Sequence, residues 1–159
     1  MDAATRKKLI DQYKDGYRVV TEALMNATEA ELTARPAPGK WSAREVVHHL
    51  ADSEMTAAVR LRVLLATDNP RIVGFDQDEF ARTLHYDRPH DASLDVLKTV
   101  RRATGELLDL MTDADWERQG THTEHGAYGV ECWLDIYAAH AHAHAEQILV
   151  ARDAARKRA

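Results

Sequence analysis

From Val130 almost to the C-terminus, Trp133, Ile136, Tyr137, His140, His144, Ile148 and Ala151 recur at helical spacing. The longest amphipathic helix of this chain therefore has to bury histidines along with its apolar stripe. At ~100° per residue His140 and His144 return to one face a turn apart, while His142 points to nearly the opposite side. His142 shares that side with Asp135, Ala138 and Glu146 and is expected to be solvated. Buried polar groups need partners, and each imidazole can protonate near neutrality unless something holds it neutral. A metal ion would meet both demands, but His140 and His144 make only half of its site, and a third ligand has to come from elsewhere in the fold.

Glycine and proline divide the rest of the chain. A first helix is expected over residues 5–30, with Ile10, Tyr13, Tyr17, Val20 and Leu24 as its inner stripe. Pro36 to Gly39 end any continuation. Ser42 followed by Glu45 is a capping box, which starts a second helix that runs to about residue 67. Asn69-Pro70 stops it. The stretch 71–91 is mixed, with room for one short helix over 78–84. A third helix is expected over 92–111, on Leu94, Leu97, Val100 or Arg101, Thr104, Leu107 or Leu108, and Met111. Gly120, Gly126 and Gly129 punctuate a loop in which 121–128 is compatible with a small hairpin, and the last helix follows.

Four amphipathic helices with no convincing sheet imply an all-α fold, a four-helix bundle. The connection between helices two and three far exceeds the ~2–8 residues usual between antiparallel bundle neighbours. It is long enough to cross the whole bundle and leave those two helices parallel. Residues 1–159 fit one domain, long enough to bury roughly 70 % of the unfolded surface.

The formal charge is −5, and basic residues cluster only in the run 152–158, which argues against nucleic acid as a partner. That run is expected to complement the dipole at the end of the last helix. The single cysteine, Cys132, allows neither an intramolecular disulfide nor a cysteine zinc motif and is assigned to core packing. No apolar run approaches the ~18 residues of a membrane span, and the N-terminus is polar rather than a signal peptide. A soluble, cytoplasmic protein with no membrane partner is expected.

The third ligand is sought on helix two, whose apolar face is Val46, Val47, Leu50, Ala57, Leu61 and Leu64. His49 lies about 100° from the centre of that face and His48 about 160° from it. His49 is the better candidate for the interior, with the small Ser53 one turn on leaving space above it. His48 is expected to make an exposed i,i+4 pair with Asp52.

The stretch Trp41-Ser42-Ala43-Arg44-Glu45-Val46-Val47-His48-His49-Leu50-Ala51-Asp52-Ser53-Glu54, with Tyr137-Ala138-Ala139-His140-Ala141-His142-Ala143-His144 far downstream, resembles the DinB/YfiT-like superfamily. The stretches Leu65 to Ile72 and Phe75-Asp76 resemble its YfiT-type branch in particular. The resemblance covers about residues 41–148. It implies a four-helix bundle with a long crossover and a metal held by three histidines, which fall here on His49, His140 and His144, the same three that the helical faces select. It also makes a homodimer plausible. The chain departs from the pattern at Gln147, where YfiT-type proteins often have a further histidine, and at His122-Thr123-Glu124-His125-Gly126, which only partly matches their His-Pro-Glu-like stretch.

Three neutral imidazoles leave coordination positions open, as in a catalytic rather than a structural site. Zinc comes first by availability and nickel second; no organic cofactor is indicated. Such an ion activates water for hydrolysis or binds a thiolate. The resemblance accordingly implies a metal-dependent hydrolase acting on a small-molecule substrate. The alternatives are an S-transferase using a low-molecular-weight thiol (bacillithiol, mycothiol or glutathione) and a non-catalytic metal-binding, stress-associated bundle. No His-Glu-x-x-His motif supplies a general base. Glu54 is near the apolar stripe with its role open, and Asp52 is a surface acid. Arg60 either binds an anionic group or covers the core with its stem. His85, His90, His122 and His125 lie in connectors and are expected to be solvated. Trp41, Trp116 and Trp133 are packing residues, with Trp41 plugging one bundle end.

Overall fold

The computed structural model describes residues 1–157; Arg158, the last basic residue of the C-terminal run, lies outside the described residues. Four long helices form the body: α1 (Ala3–Leu24), α3 (Ala43–Ala66), α5 (Asp91–Leu110) and α7 (Val130–Arg156). Between them lie α2 (Glu29–Thr33), α4 (Gln77–Thr83), α6 (Asp113–Trp116) and three short strands, β1 (Arg71–Ile72), β2 (Gln119–His122) and β3 (Gly126–Gly129).

The second helix begins where its capping box places it, with Ser42 accepting from the Glu45 N–H and Glu45 accepting from the Ser42 N–H. The first helix is shorter than the sequence suggests. It ends at Leu24, Asn26 takes a left-handed conformation at φ 54°, and Thr28 opens α2 with its own capping box. Asn tolerates that conformation through its short polar side chain, so a continuous apolar pattern hides the break.

Side-chain pairs fix the directions of the helices. His48 meets Ser93, Glu54 meets Arg101 and Arg62 meets Thr104, ascending along both α3 and α5, so these two are parallel. Met1 with Glu131, Gln12 with His142 and Ala23 with Arg152 make α1 and α7 parallel as well. Across the pairs the order reverses: Lys14 meets Asp109, while Tyr17 lies under Lys98. Ala57 meets Trp133 of α7, whereas His49 meets His140 and His144 further along. The crossover between α3 and α5 thus runs the length of the bundle, as its length implies.

A small sheet does form. β2 and β3 pair antiparallel, with His122 opposite Gly126, and β1 joins β2 in parallel, with Ile72 opposite His122. Strands this short carry almost no alternation to read. Gly120 lets the strands close up, because a Cβ there would stand 2.7 Å from the Pro70 carbonyl oxygen. The sheet ties the crossover to the loop before α7.

The core divides into two apolar clusters, one around Tyr13, Leu61, Leu64, Leu108 and Trp133, the other around Val20, Val46, Leu50, Leu97 and Ile148. Arg101 is 2 % exposed and ion-paired with Glu54, itself 1 % exposed, at 2.7 Å. Tyr13 donates its hydroxyl to the same carboxylate, and Arg101 also donates to the Tyr13 and Tyr137 carbonyls. A buried ion pair survives desolvation only with such additional bonds. Gly16 makes the reach possible, since a Cβ there would land on the guanidinium.

Two further expectations change. Arg152 is buried and donates to the carbonyls of Ala23 and Met25 and to Glu31. It serves the last carbonyls of α1, the neighbouring parallel helix, rather than those of its own. Cys132 is exposed, not packed in the core. It lies on the outward side of α7, next to the buried Trp133 and Leu134.

Candidate metal centre

α3 and α7, packed antiparallel, bring His49, His140 and His144 together. One ligand nitrogen of each lies within 4.8 Å of the others. The His140 and His144 Nε2 atoms are 3.1 Å apart, and the His49 ring centroid is 5.3 Å from that of His140 and 4.7 Å from that of His144. His49 is 2 % exposed, and neither of its ring nitrogens has a hydrogen-bond partner. Trp41 closes over it, with ring centroids 4.8 Å apart.

Burial drives all three histidines below their ordinary pKa. His49 falls to about 3, through desolvation and then the charge His144 would carry. His140 falls to about 2, through desolvation and then His144, His49 and Arg101. Desolvation also lowers His144, against an opposing hydrogen bond to Gln147. All three are neutral at pH 7, the state in which imidazole coordinates a cation. Gln147 accepts the Nδ1–H of His144 at 2.7 Å, which leaves Nε2 bare toward His140. A buried, unpartnered imidazole beside two neutral ones is costly on its own and suits a divalent ion that takes three nitrogen donors.

The centre opens into a cavity of 200 Å³ lined by His49, Ser53, Arg60, His122, Tyr128 and His140, among others. The sheet and the crossover supply its outer wall. Larger cavities of 360 and 440 Å³ elsewhere on the bundle contain none of the three histidines.

A model of the DinB superfamily matches residues 12–148. The chain belongs to the DinB superfamily. An Oceanobacillus iheyensis protein named "Putative metal-dependent hydrolase" is 30% identical over 139 residues, 87% of this chain and 81% of its own length. A protein of the same name from Halalkalibacterium halodurans is 27% identical over 125 residues, 77% of this chain and 73% of its own. YfiT from Bacillus subtilis, whose structure is described as that of "a probable metal-dependent hydrolase with an unusual four-helix bundle topology", matches with a TM-score of 0.90. The match covers 99% of this chain and 90% of YfiT at 24% identity, a likeness of fold.

Within this superfamily member, several polar residues lie differently from their sequence assignments. His48 is fully buried rather than paired with Asp52. Its Nε2–H donates to the Arg88 carbonyl at 3.0 Å, and Nδ1 accepts from Ser93 at 2.8 Å. Asp52 instead accepts from the Tyr86 hydroxyl at 2.6 Å. α3 is covered on one side by α7 and on the other by α5 and the crossover, so it has no solvent side at His48. His122 is 4 % exposed, inside the sheet rather than solvated. His142 stays clear of the centre but is half-buried, donating to the Gln12 carbonyl at 3.1 Å. Ile136, placed on the inner stripe, is 44 % exposed, while Ala138 on the other side is fully buried. The parallel neighbour α1 draws the inner stripe of α7 toward Ala138, Ala141 and Ala145 and leaves His140 and His144 at its edge, with His140 lining the cavity.

Proposed function

We propose that this protein is a metal-dependent hydrolase of small molecules, with His49, His140 and His144 holding a divalent cation, zinc in the first place and nickel in the second. The observation that carries the reading is His49: both nitrogens of this buried ring lack partners, and the ring stands beside two other neutral imidazoles. A cation bound there supplies Lewis acidity and lowers the pKa of water toward neutrality.

The chain's own residues provide the setting. Gln147 holds the His144 tautomer, and second-partner bonds of this kind orient a ligand and raise its basicity. Trp41 and Tyr137 flank the imidazoles and exclude bulk water from their outer sides. Among the described residues no acid joins the three histidines as a further ligand. That supports a reactive role over a purely structural site, which would be closed by a fourth protein ligand. The names of the relatives point the same way. In this reading residues 1–159 act as one domain.

Metal analysis of protein purified without a histidine tag, beside His140→Ala, tests the proposal. Stoichiometric metal is expected in the wild type and not in the variant. A wild type that stays free of stoichiometric metal even after zinc or nickel reconstitution overturns it. Hydrolysis of activated esters and amides should follow metal content through chelation and reloading.

A further inference from the structure

The cavity beside the three histidines is walled by hydrogen-bond donors. Nδ1 of His122, on β2, accepts the Glu124 N–H at 3.1 Å. Burial, and then the charge of Arg60, keep the His122 pKa below its ordinary value, so the ring is neutral at pH 7. A neutral imidazole with one nitrogen accepting carries its proton on the other. Nε2 of His122 is therefore a donor.

That tautomer decides between two uses of the loop. Ligand atoms of His122, Glu124 and His125 lie within 4.8 Å of one another, a spacing open to a cation. A protonated Nε2 has no lone pair for a metal, and Nδ1 is engaged by the backbone. The loop is built to donate hydrogen bonds, not to ligate.

Arg60 extends the same wall from α3. Its Nη1 donates to the Tyr137 hydroxyl at 3.1 Å and its Nη2 to the Val73 carbonyl at 2.6 Å, while Nε is buried without a partner. The guanidinium also faces the Phe75 ring, 5.7 Å from its centroid. Tyr128 is 3 % exposed, and its buried hydroxyl makes no well-formed hydrogen bond. Glu124 is the one acid lining this cavity; it is 59 % exposed and 4.0 Å from His125. None of the three donor groups bonds to its carboxylate.

We propose that Arg60, His122 and Tyr128 form an anion-recognition subsite, and that the substrate bound beside His49 and His140 carries a carboxylate or phosphate group that accepts from them. A cation fixed by two bonds, a locked imidazole N–H and a buried hydroxyl held only loosely beside Tyr137 form a pre-organised donor set, and anionic oxygens make the strongest bonds to it. The shared cavity holds the anionic group and the reacting centre within one small molecule. The inference rests on reading this cavity as the active site and names the class of its substrate.

Isothermal titration of inorganic phosphate and of acetate into the protein, with metal removed and again with zinc loaded, tests the subsite. Saturable binding of at least one anion to the metal-free protein is expected; the anion that binds more tightly identifies the group. Arg60→Gln should weaken that binding about tenfold or more, as loss of a charge-assisted bond does. Tyr128→Phe, which keeps the ring and the packing, should weaken it severalfold while zinc stoichiometry stays at the wild-type value. Binding seen only with zinc present, binding unchanged in both variants, or no saturable binding of either anion overturns the subsite. Loss of zinc binding with anion binding intact would overturn the metal centre alone.

Discussion

The Gln147 Oε1 lies 2.7 Å from Nδ1 of His144, one turn further along α7, and so determines which nitrogen of that histidine faces His140 and His49. An amide does here what a carboxylate often does for metal-binding histidines. Gln147→Leu is expected to lower zinc affinity about 10- to 100-fold without changing the stoichiometry. Competition against a chromophoric chelator measures it, and an unchanged affinity would show Gln147 to be a bystander.

In the proposed role His49 burdens the metal-free fold, because its buried nitrogens have no partners there. His49→Phe removes the polar atoms and keeps a planar ring. Metal binding should be lost while the metal-free protein keeps or raises its thermal midpoint, since an unpartnered buried polar group costs about 1–3 kcal/mol. Calorimetry of chelator-treated wild type and variant makes the comparison.

The same burial sets a pH dependence for the metal-free protein. His49 at about 3 and His140 at about 2 are neutral in the folded state at pH values where the unfolded chain, near 6.5, is protonated. The unfolded state then binds more protons, so stability is full above about pH 6.5 and is lost as pH falls below it. Each group contributes a slope of up to about 1.4 kcal/mol per pH unit. Urea midpoints measured from pH 7.5 down to 4.5 should fall steeply for the wild type and less steeply for His49→Phe. A flat profile would contradict the burial of both rings.

Arg101 and Glu54 are expected to behave as a unit. Arg101→Ala strands a buried carboxylate and should cost about 3–5 kcal/mol, whereas Arg101→Met with Glu54→Leu should recover most of that loss. Gly16→Ala should destabilise as well, since the new methyl group meets the guanidinium. Chemical denaturation of the single and double variants reads both outcomes, and additive losses would separate the pair.

That His49, His140 and His144 come together was legible in the sequence, because each sits on a long helix whose apolar period assigns it a direction. His48 was not, since a single-stripe reading allows one covered face and α3 has two. Its second cover, Arg88 and Ser93, comes from a connector and from the first turn of another helix. His122 failed for a related reason: β1, which pairs with its strand, is two residues long and comes from the far side of α5 in the chain. The same holds for Arg152, whose role at the end of α1 depends on α1 and α7 being parallel. Local periodicity shows which residues face inward; it does not show which remote segment they meet.

The placing of His49 on α3 and of His140 and His144 on α7 also sets an order of events during synthesis. His49, on α3, leaves the ribosome well before His140 and His144, on the helix that packs beside α1 and against α3. Until α7 docks, the growing chain presents a single imidazole where the finished one presents three. On the proposed reading the three-imidazole cluster is complete only once α7 has docked, so a bound cation would stabilise the docked state of that helix over any state in which it is detached.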